Sequence, residues 1–347
     1  MKQTTPVTPR QIRRSERRTE ETAMWSAREE QTDGMHIPMP RIADSTPAQQ
    51  KLTETVMNAL RSIRSVSSPG EMTPRDLERQ RRSQRILGRL AAPMLGLSWE
   101  PFDLDGMPAA WVRPERAASP RHAVLYCHGG GYTSGNLNYS RPLAAKLALR
   151  TGWPVLCFEY RLAPEHPYPA APEDALRAWD YLMKLGYGAR DVALLGDSAG
   201  GNLALVLTQT LRKAGRMPPR RLVLASPWTD MTCSGESYER CADIDPMLSP
   251  EYMHAVRDAY AAGLDWSDPQ LSPLFGDFDG FPETLIQAGS NEILFADSAR
   301  LHETLVAQGV PCRMECWEGM WHVFQMFPLP QADKAMDRAA AFLLDGM

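Results

Sequence analysis

The sequence predicts an α/β protein: a mostly parallel sheet flanked by helices, with a helical cap. Three observations point there. From residue 123 onward, short apolar runs alternate with amphipathic stretches of helical spacing, the pattern of strands buried on both faces between covering helices. Two of those runs lead straight into glycine-rich turns. One interval, residues 227–280, is too long for a plain connection and carries helical signals of its own.

In chain order, residues 1–45 come first. They are rich in Arg but also carry Glu16, Glu20, Glu21, Glu29 and Glu30, and they contain no apolar stretch. A disordered leader is expected, since a transit peptide is poor in acids and a secretory signal needs an apolar core. Residues 48–65 place Leu52, Val56, Leu60 and Ile63 at helical spacing. Thr73-Pro74 is an N-cap and N1 pair opening a second helix that reaches about Leu90, with Leu77, Ile86, Leu87 and Leu90 on its apolar side. Residues 46–95 are therefore expected to supply two helices to the cap. Asp105-Gly106 between the runs 97–103 and 109–112 reads as a hairpin. Strands are then expected at 123–127, 155–158, 192–195, 222–225, 284–287 and 312–317. Helices are expected at 142–149, 172–185, 202–212, 297–308 and 332–344. Within the long interval, Ser249-Pro250 opens a helix with Met253, Val256 and Tyr260 on one side. This cap insert is expected at about 230–265, within a main domain spanning 96–347.

Composition narrows the function. With 38 basic and 42 acidic residues the net charge is −4, which gives no basic surface for nucleic acid. No run approaches the roughly 18 apolar residues of a membrane span. Six cysteines, Cys127, Cys157, Cys233, Cys241, Cys312 and Cys316, form no C-x-x-C pair and are too sparse for a disulfide scaffold. They read as packing residues of a reducing compartment, and a cytoplasmic location is expected. Cys312 and Cys316 should share one face of their strand.

The chemistry sits in the glycine-rich turns. Gly196-Asp197-Ser198-Ala199-Gly200 follows the run 192–195 and precedes a helix, the setting of a nucleophile elbow with Ser198 at its tip. His128-Gly129-Gly130-Gly131 follows the run 123–127. Three glycines let a loop aim its N–H groups at one point, as acyl transfer requires where a carbonyl oxygen gains charge. The oxyanion hole is assigned to the amides of Gly130, Gly131 and Ala199. No Lys follows as in a phosphate-binding loop.

Those two motifs enclose Glu159-Tyr160-Arg161-Leu162-Ala163-Pro164-Glu165-His166-Pro167-Tyr168-Pro169-Ala170. Over residues 123–327 the combination resembles the hormone-sensitive-lipase family of esterases, bacterial family IV. The resemblance implies an α/β-hydrolase fold with a cap of N-terminal helices and a later insert, short to medium acyl chains, and the possibility of a homodimer.

In that fold the order is nucleophile, acid, histidine. His322, on the turn after the run 312–317, fits as general base. His302 falls inside a helix and is expected on its surface, and His166 is expected to brace the proline-rich segment. The acid should follow the run 284–287. Where members of the resembled family commonly carry Asp-Pro-Leu, this chain has Asn291-Glu292, a departure from the pattern. Asn291 has no charge to hold an imidazolium. Glu292 is the expected acid, with Asp297 the alternative, although Asp297 also looks like a helix cap. Asp197 and Glu159 are expected to support the site. Tyr132 and Asp197 are the candidates for lining the substrate pocket. The chemistry requires no cofactor and no metal, and the expected partner is a small-molecule ester. An amidase or peptidase would use the same residues, but no additional domain of propeller size is present to screen peptides. A non-catalytic receptor should have lost a triad member, and Ser198 and His322 are both here.

Overall fold

The computed structural model describes residues 41–43, 46–67, 73–91, 95–116 and 121–346, all within the compact unit Met39–Met347. Its nine-stranded sheet grows from the apolar runs. The strands are β1 (Arg41–Ile42), β2 (Leu97–Leu104), β3 (Met107–Pro114), β4 (Ala123–Cys127), β5 (Val155–Phe158), β6 (Val192–Asp197), β7 (Leu222–Ala225), β8 (Thr284–Gly289) and β9 (Cys312–Trp317). Their order is β1-β9-β8-β7-β6-β4-β5-β3-β2. All pairs from β1 through β5 are parallel, and β3 and β2 are added antiparallel. The hairpin turns where expected, with Asp105 and Gly106 both in the left-handed region.

Successive residues of a buried strand serve alternate cores. Leu125 and Cys127 of β4 face α4 (Ala170–Lys184), α5 (Ala199–Lys213) and α8 (Phe295–Ala307). Val124 and Tyr126 face α3 (Leu137–Thr151) and α9 (Pro330–Leu344). Helices on both faces are what an uninterrupted apolar strand requires. Most of the helices expected from the sequence lie within a turn of their observed ends. The exception is α3, expected from Pro142. Asn136 caps it earlier, its side chain accepting from the amides of Asn138 and Tyr139.

The leader expected over residues 1–45 lies outside the described residues except for 41–43. There the expectation needs correcting. Arg41 and Ile42 pair in parallel with Cys316 and Trp317, and the Glu318 amide donates to the Ile42 carbonyl at 3.1 Å. The outer edge of β9 would otherwise expose unpaired backbone groups, and two residues are too few to show a period.

The two N-terminal helices are α1 (Pro47–Ser67) and α2 (Pro74–Ala91). Val56 and Leu60 of α1 pack with Met57 and Met247 around Trp317, Trp321 and Phe324, whereas Leu52 stays exposed. The side chains of Ile63, Ile86, Leu87 and Leu90 lie outside those described. Between β7 and β8 lie α6 (Ser237–Arg240) and α7 (Pro250–Ala261), the latter capped by the Ser249 hydroxyl as its sequence foretold. The Arg61 guanidinium donates to the Ile244 carbonyl at 3.0 Å, and the Gln80 amide donates to the Tyr252 hydroxyl at 2.7 Å. The N-terminal helices and this insert are thus bonded to each other. Among the described residues no helix is long and apolar enough to cross a membrane.

Candidate active site

The site forms at the C-terminal ends of the parallel strands, where the loops of an α/β sheet gather. Ser198 sits between β6 and α5 at φ 53° and ψ −124°, a conformation that strains any residue with a side chain. The residues two places away on either side, Gly196 and Gly200, must be small. A Cβ on Gly200 would stand 2.0 Å from the carbonyl oxygen of Cys127. The Ser198 amide donates to the Ala225 carbonyl at 3.0 Å, and its carbonyl accepts from Trp228 at 3.0 Å, so the loop after β7 holds the turn.

His322 follows β9. Its Nδ1 donates to Glu292 Oε2 at 3.0 Å, while Glu292 Oε1 accepts from the Gly289 amide at 2.9 Å. Both side chains are buried. A carboxylate accepts only, so the Nδ1 position carries the hydrogen and Nε2 keeps its lone pair in the neutral ring. The two loops are further joined by Asn291 N to Met320 O at 2.9 Å and Gly319 N to Ser290 Oγ at 2.8 Å. The Val323 amide donates to Ser226 Oγ at 3.1 Å. Ser226 is the neighbour of Ala225, which anchors Ser198, so one strand end ties both the serine turn and the histidine turn. From below, Lys146 of α3 donates to the carbonyls of Gln325 at 3.0 Å and Phe327 at 2.7 Å.

Asp297 is elsewhere. Its Oδ2 accepts from the amides of Thr229 at 2.8 Å and Asp230 at 2.9 Å. Burial, reinforced by the Asp230 charge, pushes its carboxyl up to about 8. His302, expected on a helix surface, is instead buried with neither ring nitrogen partnered, and burial lowers its pKa. The inward face of α8 carries it. His166 is exposed and does not brace its loop with its ring. Arg161 does so, reaching Asp174 at 3.0 Å and Glu173 at 2.7 Å.

In the glycine loop, Gly130, Gly131 and Tyr132 have φ of 117°, 61° and 60°. This succession turns the chain back so that Gly130 O accepts from Ser134 N at 3.0 Å. A Cβ on Gly131 would approach Val256 of α7 to 3.0 Å. The Gly129 amide donates to Asp197 Oδ1 at 2.8 Å. Asp197 also accepts from the hydroxyls of Tyr126 at 2.7 Å and Tyr139 at 2.6 Å. Burial raises its pKa against those hydrogen bonds. With no exposed surface, Asp197 is a strut between the serine turn and the glycine loop, which corrects its candidacy as a pocket residue. Tyr132 is corrected likewise. It is 1% exposed, its hydroxyl donates to Asn202 Oδ1 at 2.8 Å, and its ring stacks on Tyr260 at 3.9 Å. It is a pillar between loop and insert. Glu159 supports as expected, accepting from the Leu137 amide at 2.8 Å. Buried His128 donates from Nδ1 to Gly129 O at 2.8 Å and stacks on Tyr160, and burial pushes it down to about 4, so it is neutral.

Tyr126, Tyr139, Asn202, Ser226 and Lys146 carry no motif, and sequence reading missed them. Their roles arise only from contacts between distant segments. Among the described residues no group of three or more His, Cys, Asp or Glu could hold a metal ion.

A family model described as the alpha/beta hydrolase fold matches residues 124–326. An acetyl-hydrolase of Streptomyces hygroscopicus is 36% identical over 276 residues, 79% of this chain and 90% of that one. An esterase of Acinetobacter venetianus is 37% identical over 245 residues, 70% of this chain and 80% of its own. The crystal structure of an esterase from the bacterial hormone-sensitive lipase family superposes with a TM-score of 0.79 at 33% identity, covering 87% of this chain and 98% of that one.

Proposed function

The chain belongs to the hormone-sensitive-lipase family of α/β-hydrolase esterases, and from that premise we propose that it hydrolyses small carboxylic esters through Ser198, His322 and Glu292. The observation that carries this reading is the His322 Nδ1 contact to buried Glu292, 3.0 Å long, which leaves Nε2 as the basic nitrogen. In this mechanism Nε2 takes the Ser198 hydroxyl proton as Oγ attacks the ester carbonyl. The amides of Gly130, Gly131 and Ala199 stabilise the oxyanion, each donor acting where charge develops rather than on the ground state. That the Gly129 amide is committed to Asp197 supports giving this role to the next two glycines. The imidazolium returns its proton to the departing alcohol. Water then attacks the acyl-enzyme, again through His322, releasing the acid and restoring Ser198.

A cap of α1, α2 and the insert would close the alcohol or acyl side, and Val256 against the glycine loop supports a restricted pocket. Short acyl groups are the expected substrates, in keeping with the acetyl-hydrolase name of the Streptomyces relative. Nitrophenyl esters of increasing acyl length, assayed beside Ser198→Ala, test the reading. The variant should lose roughly 10⁶ in kcat. A loss below about tenfold would refute the assignment of the nucleophile.

A further inference from the structure

Asp245 follows α6 in the insert. It has no exposed surface, and the mechanism above does not use it. Its carboxylate accepts from three backbone amides. Oδ1 accepts from Met247 at 2.8 Å and Leu248 at 2.9 Å, holding its own turn, and Oδ2 accepts from Ile293 at 3.0 Å. Ile293 is the residue after Glu292. The insert grips that residue on its other side too, because the Ser237 hydroxyl donates to the Ile293 carbonyl and accepts from the Ala296 amide. Residues 290–294 lie between β8 and α8 with no helix or strand of their own. The direction in which Glu292 points is therefore set from two sides: by Gly289 at the carboxylate and by the insert at the backbone.

We propose that Asp245 is a positioning residue for ester hydrolysis, orienting Glu292 toward His322 through the Ile293 amide and adding a further buried negative charge that favours the imidazolium. The proposal rests on the triad reading above. The ionisable groups around Asp245 include His322 on the turn after β9 and Cys241 at the end of α6, with Glu292 next to the Ile293 that it holds, and His322 also feels the buried carboxyl of Asp197. Arg61 of α1 lies against the neighbouring Ile244 carbonyl. Burial pushes Asp245 up to about 6, while a charged His322 and the three amides pull it down. Formation of the imidazolium during acylation therefore strengthens the anionic form of Asp245, and by linkage anionic Asp245 favours the imidazolium. A carboxylate placed only to tie off a turn could occupy any surface Asx position. Burying a charge beside a catalytic carboxylate is costly, and it has a purpose if that charge acts in the reaction.

The test is Asp245→Asn in the full chain, assayed on nitrophenyl acetate across pH with thermal unfolding measured alongside. Asparagine keeps the size but removes the charge. Losing a support behind a catalytic ligand should lower kcat about 10- to 100-fold, with KM little changed. Removing an anion near an imidazole disfavours its charged form. The acid limb of the kcat/KM profile should therefore move to lower pH by about half a unit to one unit. Asp245→Glu keeps the charge and should leave the limb near its wild-type position while kcat stays low. A folded Asp245→Asn protein with kcat and limb both within twofold of wild type overturns the proposal. So does a loss of activity that only follows the unfolded fraction, with the limb unmoved. If Asp245→Asn does not fold, Asp245→Glu decides: kcat reduced about tenfold or more supports positioning, and kcat within twofold rejects it. Ser198→Ala separates the two readings. Activity surviving that substitution sinks the triad itself, whereas an inactive Ser198→Ala beside a normal Asp245→Asn sinks only the role given to Asp245.

Discussion

Glu292 and Asp297 lie on one stretch after β8, both without exposed surface, and their oxygens have different partners. Glu292 spends one oxygen on His322 and the other on the Gly289 amide. Asp297 accepts two amides on Oδ2, while its Oδ1 has no partner. With its carboxyl pushed up to about 8, Asp297 holds a proton at neutral pH. Asparagine is close to isosteric with that neutral acid. Glu292→Ala should therefore lower kcat on nitrophenyl acetate by about 10³- to 10⁴-fold, while Asp297→Asn should stay within about threefold of wild type. The reverse result would move the acid to Asp297. A stability test follows from the same shift. The native state keeps a proton that the unfolded chain, with an ordinary value of 3.8, releases. The contribution of this group to wild-type stability should thus fall as pH rises from about 4 to 8 and level off above it, with a slope of at most about 1.4 kcal/mol per pH unit. Asp297→Asn lacks the slope, so in urea unfolding its stability relative to wild type should rise between pH 6 and pH 8. A difference independent of pH would mean that Asp297 is ionised throughout. At this scale the serine turn, the glycine loop and the histidine turn were legible as local patterns, and the contact of His322 with Glu292 followed from the chain order expected of the fold. Asp197 and Tyr132 were misread as pocket residues because their partners, Tyr139 and Asn202, belong to helices whose approach leaves no local pattern.

Hydrophobic spacing announced the helices but not what their polar faces hold. Leu77 of α2 is buried as its period implied. The same helix, however, uses two polar residues on the loop that follows Gly131 and a third on the insert. Arg81 Nε donates to Thr133 O at 2.8 Å and Nη2 to Ala163 O at 3.0 Å, and the fork grips Glu165 at 2.9 Å twice. Gln84 accepts from the Gly135 amide at 2.8 Å, and Gln80 reaches Tyr252 in the insert. Arg81 holds the Glu165 carboxyl down at about 2. In a sequence, arginine and glutamine on a charged helix read as a solvated face, so this grip was invisible. The strand β1 was invisible for a different reason, its two residues being too few to repeat a period. The Arg81–Glu165 pair is half exposed on the acid side and contributes little by itself. The value of Arg81 lies in its fork, which fixes the end of the glycine loop. Arg81→Lys keeps the charge and loses the fork. It should lower kcat about tenfold with KM nearly unchanged, because small displacements of aligned donors are felt mainly in the transition state. It should also weaken a boronic acid inhibitor by a similar factor. Unchanged kcat and unchanged inhibitor affinity would show that α2 merely covers the loop.

The parallel sheet brings five strand ends to one edge. β4 delivers the glycine loop, β6 Ser198, β7 the anchor Ser226, β8 Glu292 and β9 His322. That the sheet would be parallel could be read from apolar runs separated by helices. The strand order could not, because it depends on which edges meet once the crossovers have packed. The same uninterrupted packing bears on the cysteines. All six are free. Cys312, Met314 and Cys316 face one core, as their spacing required. Burial raises every thiol: Cys241 to about 11, Cys233, Cys312 and Cys316 to about 12, and Cys127 and Cys157 higher still. Alkylation requires the thiolate, and a thiol near 12 is ionised to only about one part in 10⁴ at pH 8. Iodoacetamide at pH 8 should therefore leave esterase activity within about a tenth of its starting value. With no disulfide to constrain the unfolded chain, dithiothreitol should leave the Tm unchanged to within about 1 °C. Rapid inactivation by iodoacetamide would mean that one of these thiols is exposed by motion of the insert, with Cys241 beside Ser290 the first to examine. A Tm that drops on reduction would mean that two of the six are paired in solution, and the core read from their burial would have to be redrawn.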